Sequence, residues 1–190
     1  MVLNSCYLIM KLFKIPNFLS DEECDILYNR ILETEDSVKL LGDDLHDGTS
    51  DNSLTGRHWC HNQLTDKVIS DIIVPKLRVI VGRKRFIQCW ANTFRNGEGI
   101  SKHCHRNPDA IGGPPVDWTC TNLFLGGDPG LGTWFEGEQH TNNRGELMLF
   151  LSNVNHWVPP NKSDEIRISM AMDVHTSRVS GYGEKQYYGI

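Results

Sequence analysis

The chain has 190 residues, 39% of them hydrophobic, with 19 basic and 24 acidic side chains and a formal charge of −5. A chain of this length buries roughly 70% of its unfolded surface, so one domain can form without metal or disulfide staples. The acidic balance speaks against a binder of nucleic acid or anionic membrane, and no apolar run approaches the roughly 18–20 residues that span a bilayer. Six scattered cysteines without a CxxC pair read as free thiols of a reducing, cytoplasmic compartment.

In chain order, Ile15–Leu19 reads as an edge strand running into a turn. Ser20-Asp21-Glu22-Glu23 fits a capping box, and Cys24, Leu27, Tyr28 and Ile31 follow at helical spacing, predicting a helix over about 21–34. The polar stretch 42–56 reads as a mobile loop. A second helix is expected from Thr65 or Asp66, with Pro75 kinking or splitting it. From Arg85 onward the pattern changes to strands separated by glycine turns: 86–94, 118–125, 131–135, 146–151 and 166–174. One domain over 1–190 follows, with helical support over about 13–82, a β core over about 83–175 and a loosely attached polar tail over 176–190. The class is mainly β with N-terminal helices (α+β), an antiparallel barrel or sandwich with the helices on one side.

The residues with the most chemical content are His103-Cys104-His105, His156 and Arg167. Side chains at i and i+2 of an extended segment share a face, so His103 and His105 can converge on one point while Cys104 turns away. One further ligand from a distant strand, His156, would complete a facial set of three and leave three positions open. Two histidines and a carboxylate in that arrangement serve non-haem Fe(II) oxygenases, although imidazole also suits zinc, copper and nickel.

Trp90-x-Asn92, Gly97, His103-x-His105, Gly145-Glu146-Leu147-Met148-Leu149-Phe150 before His156, and Arg167-Ile168-Ser169 resemble the Fe(II)/2-oxoglutarate-dependent oxygenase superfamily. The nearest pattern is that of small phage- and bacteria-type members with HxH in place of HxD. The segment from Ile15 to Cys24 is similar to the opening of prolyl 4-hydroxylase-like members, so the resemblance covers about 13–174. It implies a jelly-roll, cupin-like double-stranded β-helix holding one Fe(II), with His103 and His156 as ligands. It also implies Arg167 and Ser169 on the distal carboxylate of 2-oxoglutarate, whose decarboxylation to succinate with molecular oxygen drives substrate oxidation, most simply hydroxylation. A planar guanidinium suits that carboxylate, which it meets with two parallel bonds.

His105 departs from the pattern, since the superfamily mostly carries Asp or Glu there. Three readings follow: a three-histidine iron site, a site completed by a carboxylate such as Asp109 or Asp117, or another metal; the first is favoured, because i, i+2 geometry already places His105. Asn92 and Phe94 share a strand face and line the cosubstrate pocket or pack the core. Trp90, Trp118, Trp134 and Trp157 read as core or pocket wall. His58-Trp59-Cys60-His61 reads as a loop or substrate-entry segment, and Arg83-Lys84-Arg85 as solvated gatekeepers. Two other functions compete: a three-histidine metal dioxygenase that uses no oxoacid, and a catalytically silent metal-binding module. The expected partners are 2-oxoglutarate and a substrate that is a peptide, a protein or a small metabolite, with no membrane and no nucleic acid.

Overall fold

The computed structural model describes residues 12–43, 61–105, 119–176 and 188–190. Ten strands and two long helices are present among them. Chain order is β1 (Leu12–Ile15), α1 (Asp21–Asp43), α2 (Lys67–Val81), β2 (Phe86–Phe94), β3 (Ile100–His103) and β4 (Thr119–Gly126). It continues with β5 (Thr133–Phe135), β6 (Glu138–His140), β7 (Leu147–Leu151), β8 (His156–Val158), β9 (Arg167–His175) and β10 (Tyr188–Gly189). All pairings are antiparallel. The larger sheet runs β1-β7-β4-β9-β2-β10 and the smaller β3-β8-β5-β6. Two such sheets facing each other make a jelly roll, the double-stranded β-helix expected from the resemblance.

Both helices cover the outer face of the larger sheet. Cys24, Leu27 and Ile31 of α1 and Ile69, Ile73 and Leu77 of α2 are buried in one cluster with Ile87, Cys89, Leu123, Met170 and Met172 of the strands. The capping box forms as read: Glu23 N–H donates to Ser20 Oγ (3.2 Å) and Ser20 N–H to Glu23 Oε2 (2.8 Å). Helix α1 runs to Asp43 rather than ending near 34. Its buried stripe continues as Glu35 and Val38, and the acid is tolerated because both its oxygens receive the Arg95 guanidinium at 2.9 and 2.6 Å. The second helix starts at the Asp66 cap, and Pro75 lies inside an unbroken helix. Pro75 is exposed, so water can reach the carbonyl that its missing N–H leaves free, while Ile69, Ile73, Val74 and Leu77 hold the helix down. No helix among the described residues is long and apolar enough to cross a membrane.

Other differences have local causes. The edge strand is Leu12–Ile15 rather than 15–19, because Pro16 donates no hydrogen bond and Asn17 turns at φ 54°. The end of the expected polar tail is part of the sheet: Tyr188 and Gly189 pair with Ile87 and Phe86. Trp134 and Trp157 stack at 5.5 Å as a cross-strand pair, facing away from the interior that Phe135 and His156 enter, so these two are not pocket wall. Residues 44–60, with most of the polar stretch 42–56 and with His58, Trp59 and Cys60, and residues 106–118, with Asp109, Asp117 and Trp118, lie outside the described residues.

Candidate active site

The site lies between the two sheets and is built by alternation. Nine consecutive residues of β9 are buried, and every second one, Arg167, Ser169, Ala171, Asp173 and His175, faces the interior. Cross-strand pairing places Phe94 beside Arg167, Asn92 and Phe124 beside Ser169, and Gln88 and Cys120 beside Asp173. Opposite, β3 pairs with β8 so that His103 faces His156, and His105 follows just beyond, its N–H donating to Ser152 O at 2.9 Å.

The three imidazoles meet with ring centroids 4.3, 4.9 and 5.4 Å apart. One ligand atom from each lies within 4.8 Å of the other two, a set that could hold a metal ion. Their second nitrogens are already engaged. His103 Nδ1 is 2.8 Å from Ser101 O and His156 Nδ1 is 3.0 Å from Val154 O. A carbonyl only accepts, so both Nδ1 atoms carry the proton and both Nε2 atoms keep a lone pair. His105 Nδ1 lies 2.6 Å from Asp173 Oδ1, which imposes the same tautomer on a neutral ring. Orienting the far nitrogen in this way is how proteins present imidazole to metals.

Electrostatics favour neutral ligands at two positions. Burial, then the neighbouring His105 and His103, pushes His156 down to about 3, and burial lowers His103. His105 differs: burial lowers it, but the charge and hydrogen bond of Asp173 outweigh that and raise it. Phe150 and Phe135 pack on the His156 ring at 4.8 and 5.9 Å, and Trp90 lies 5.4 Å from His105.

A second feature lies further along β9. Arg167 has no exposed surface, and its guanidinium lies over the rings of Phe94 (5.4 Å) and Phe124 (5.5 Å). Its hydrogen bonds are two long ones, Nη1–H to Ser169 Oγ at 3.4 Å and Nη2–H to Thr133 Oγ1 at 3.3 Å, and Nε–H has no partner. Thr133 Oγ1 donates in turn to Asn142 Oδ1 at 3.1 Å. Among the described residues no carboxylate pairs with Arg167, and burial lowers it to about 10, which leaves it cationic at neutral pH. A buried cation without a counter-ion is costly, and an anionic ligand relieves that cost.

A cavity between the sheets is lined by the three histidines together with Asn92, Ser169 and Thr133. Arg167 lies directly behind the last two. Phe94 belongs to the Arg167 end rather than to the cavity wall, and Asn92 Oδ1 is buried without a partner. Gly127 (φ 104°) crosses so close to Arg167 that a Cβ there would come within 2.6 Å of the arginine Cα, so glycine is required at that contact. Asp173, Cys120, Thr133 and Asn142 were not singled out from the sequence. Parity along 167, 169, 171 and 173 puts Asp173 on the Arg167 face, but nothing local says what faces it.

No protein-family model matches the chain, and no curated protein matches it. Solved structures do. A viral collagen prolyl hydroxylase from Paramecium Bursaria Chlorella virus-1, in complex with 2-oxoglutarate, aligns at TM-score 0.60 and 19% identity, covering 88% of this chain and 97% of that one. A Pseudomonas putida prolyl-4-hydroxylase aligns at 0.58 and 14%, over 88% and 94%. HygX from Streptomyces hygroscopicus, with nickel and 2-oxoglutarate bound, aligns at 0.56 and 10%, over 88% and 82%. The chain has the fold of these proteins.

Proposed function

We propose that the chain is an Fe(II)- and 2-oxoglutarate-dependent oxygenase, a hydroxylase that couples decarboxylation of 2-oxoglutarate to substrate oxidation. The observation that carries this reading is Arg167, a fully buried cation with no anionic partner among the described residues, behind a cavity whose other side is three converging imidazoles. The donor chemistry fits both groups. His103, His105 and His156 would hold the metal through Nε2. Arg167 and Ser169 would take the distal carboxylate, exchanging two long hydrogen bonds for charge-assisted ones. Thr133 and Asn142 hold the guanidinium in place, Phe94 and Phe124 keep water from it, and Asn92 offers an unpaired oxygen to the cavity. The metal, when bound, supplies open positions for the oxoacid end of the cosubstrate and for oxygen.

Two of the similar structures are of prolyl hydroxylases, which supports a peptidyl substrate as the first class to test, with small metabolites second. Anaerobic addition of Fe(II) and 2-oxoglutarate should produce a visible charge-transfer band, and oxygen should then release succinate. His156→Ala should abolish both. Metal-loaded protein that gives neither would overturn the cosubstrate reading.

The all-histidine set also supports a second reading, a metal dioxygenase in which Arg167 holds the carboxylate of the substrate itself. Oxygen uptake without 2-oxoglutarate would favour it.

A further inference from the structure

We infer that Asp173 is a positioning residue for the metal centre: it fixes His105 as a ligand and returns, one hydrogen bond behind it, the negative charge that an all-histidine face lacks. This rests on the reading of the three histidines as metal ligands, and it deepens that reading at the position where the sequence departs from the HxD pattern.

The geometry is specific. His105 belongs to two clusters at once. Its ligand atoms group with those of His103 and His156, and separately with Cys120 and Asp173. His103 and His156 do not fall in the second group, so Asp173 meets the first only through His105. The Nδ1–Oδ1 distance of 2.6 Å is short for a nitrogen–oxygen hydrogen bond, as expected where a carboxylate accepts from a polarised ring N–H. Neither side chain can easily reorient. His105 is held by its backbone bond to Ser152 and by the Trp90 ring. Asp173 is buried in the middle of the larger sheet, with Gln88 and Cys120 as its cross-strand neighbours. The Cys120 sulfur lies 3.2 Å from His105 Nδ1 and within 4.8 Å of the carboxylate.

The bond to His105 explains why an acid is tolerated there. The other described members of its row are Gln88, Cys120, Phe150 and Leu12, none of them cationic. A buried carboxylate in such a row requires a donor that carries or shares positive charge, and a metal-bound imidazole is one. His103 and His156 point their Nδ1–H at backbone carbonyls instead. The three histidines are therefore inequivalent. Among the described residues His105 alone of the three has a hydrogen-bonded carboxylate, and it stands where the family pattern places a carboxylate. A set of three neutral imidazoles leaves the full charge of a divalent cation in the barrel. Asp173 lowers that total by one, as a directly bound carboxylate would.

The test uses Co(II) alone, titrated anaerobically without 2-oxoglutarate into the full chain and into D173N, H105A and D173N/H105A. D173N should weaken Co(II) by roughly 10–100-fold. In the H105A background the same change should cost less than about twofold, since its route to the metal is gone. H105D, which places a carboxylate at the ligand position itself, should likewise make D173N nearly silent. Wild-type affinity in D173N, or an equal loss with and without His105, would overturn the proposal. The wild type gives an independent check should D173N fail to fold. With Zn(II) bound, the 15N–1H correlations of the histidine rings should place the His105 proton on Nδ1, and a proton on Nε2 would refute the assignment. None of these readouts involves the cosubstrate, so their failure is distinguishable from a failure of succinate formation.

Discussion

The two faces of β9 are both buried and could hardly differ more. Toward the helices it presents Ile168, Met170, Met172 and Val174. Toward the barrel it presents Arg167, Ser169, Ala171, Asp173 and His175. The apolar face is ordinary core, stabilised by removal from water. The polar face holds two opposite charges, Arg167 at its start and Asp173 two residues before its end, and they do not pair with each other. Each instead has another polar group nearby, Thr133 and Ser169 for the arginine and His105 for the aspartate. Buried polar groups arranged this way do not strengthen a fold. Under the proposed function they form the face that meets the ligands.

Moving the charge from one face to the other should break the molecule most completely. Met172→Asp places beside Asp173 a carboxylate that faces Ile69, Ile73 and Leu77 with no donor, and it should abolish folding, read by loss of the thermal transition. Ile168→Ala removes apolar volume from the same face and should destabilise by about 2–5 kcal/mol in urea. Co(II) and 2-oxoglutarate affinities of the remaining folded protein should stay within about threefold of wild type, because the removed side chain lies on the helix side of the strand, away from the histidines and the guanidinium.

On the polar face the expected pattern inverts. Arg167→Met should weaken 2-oxoglutarate by about 100-fold or more, the loss of two charge-assisted hydrogen bonds, and leave Co(II) affinity intact. The ligand-free variant should melt at the same or a higher temperature, since a buried cation with no carboxylate among the described residues is replaced by an apolar chain of similar volume. A melting temperature lowered by many degrees would mean that Arg167 is structural.

The smallest effect belongs to a position off the strand. Asp66 caps α2, accepting from the N–H groups of Val68 and Ile69, and it pairs with Arg30 at 2.7 Å. Asp66→Ala should cost about 1 kcal/mol at neutral pH. Burial raises the Asp66 carboxyl, but Arg30 and the two backbone donors outweigh it and hold it below its ordinary value. A depressed folded value means that the contribution is present above the ordinary carboxylate range and is lost as pH falls through the depressed value. The gap between wild type and variant should therefore close in acid, as urea curves at descending pH would record.

Much of this was legible in local pattern. The capping box at Ser20, the helix start at Asp66, the shared face of His103 and His105 and that of Arg167 and Ser169 all follow from contacts within four residues. The helix end near 34 failed because Glu35 reads as polar, and its partner Arg95 is sixty residues away. The β10 strand failed for a similar reason: two residues carry no periodicity, and only Ile87 and Phe86 opposite them make a strand.

What the sequence by itself determined is parity, meaning which side chains can act together on one face of one element, because alternation is a property of the local backbone. What only the tertiary structure decided is which faces meet. That His156 lies opposite His103, that Thr133 reaches Arg167, and that Asp173 stands behind His105 depend on strand register. Register is set by the packing of the whole barrel, not by any residue's neighbours in the chain.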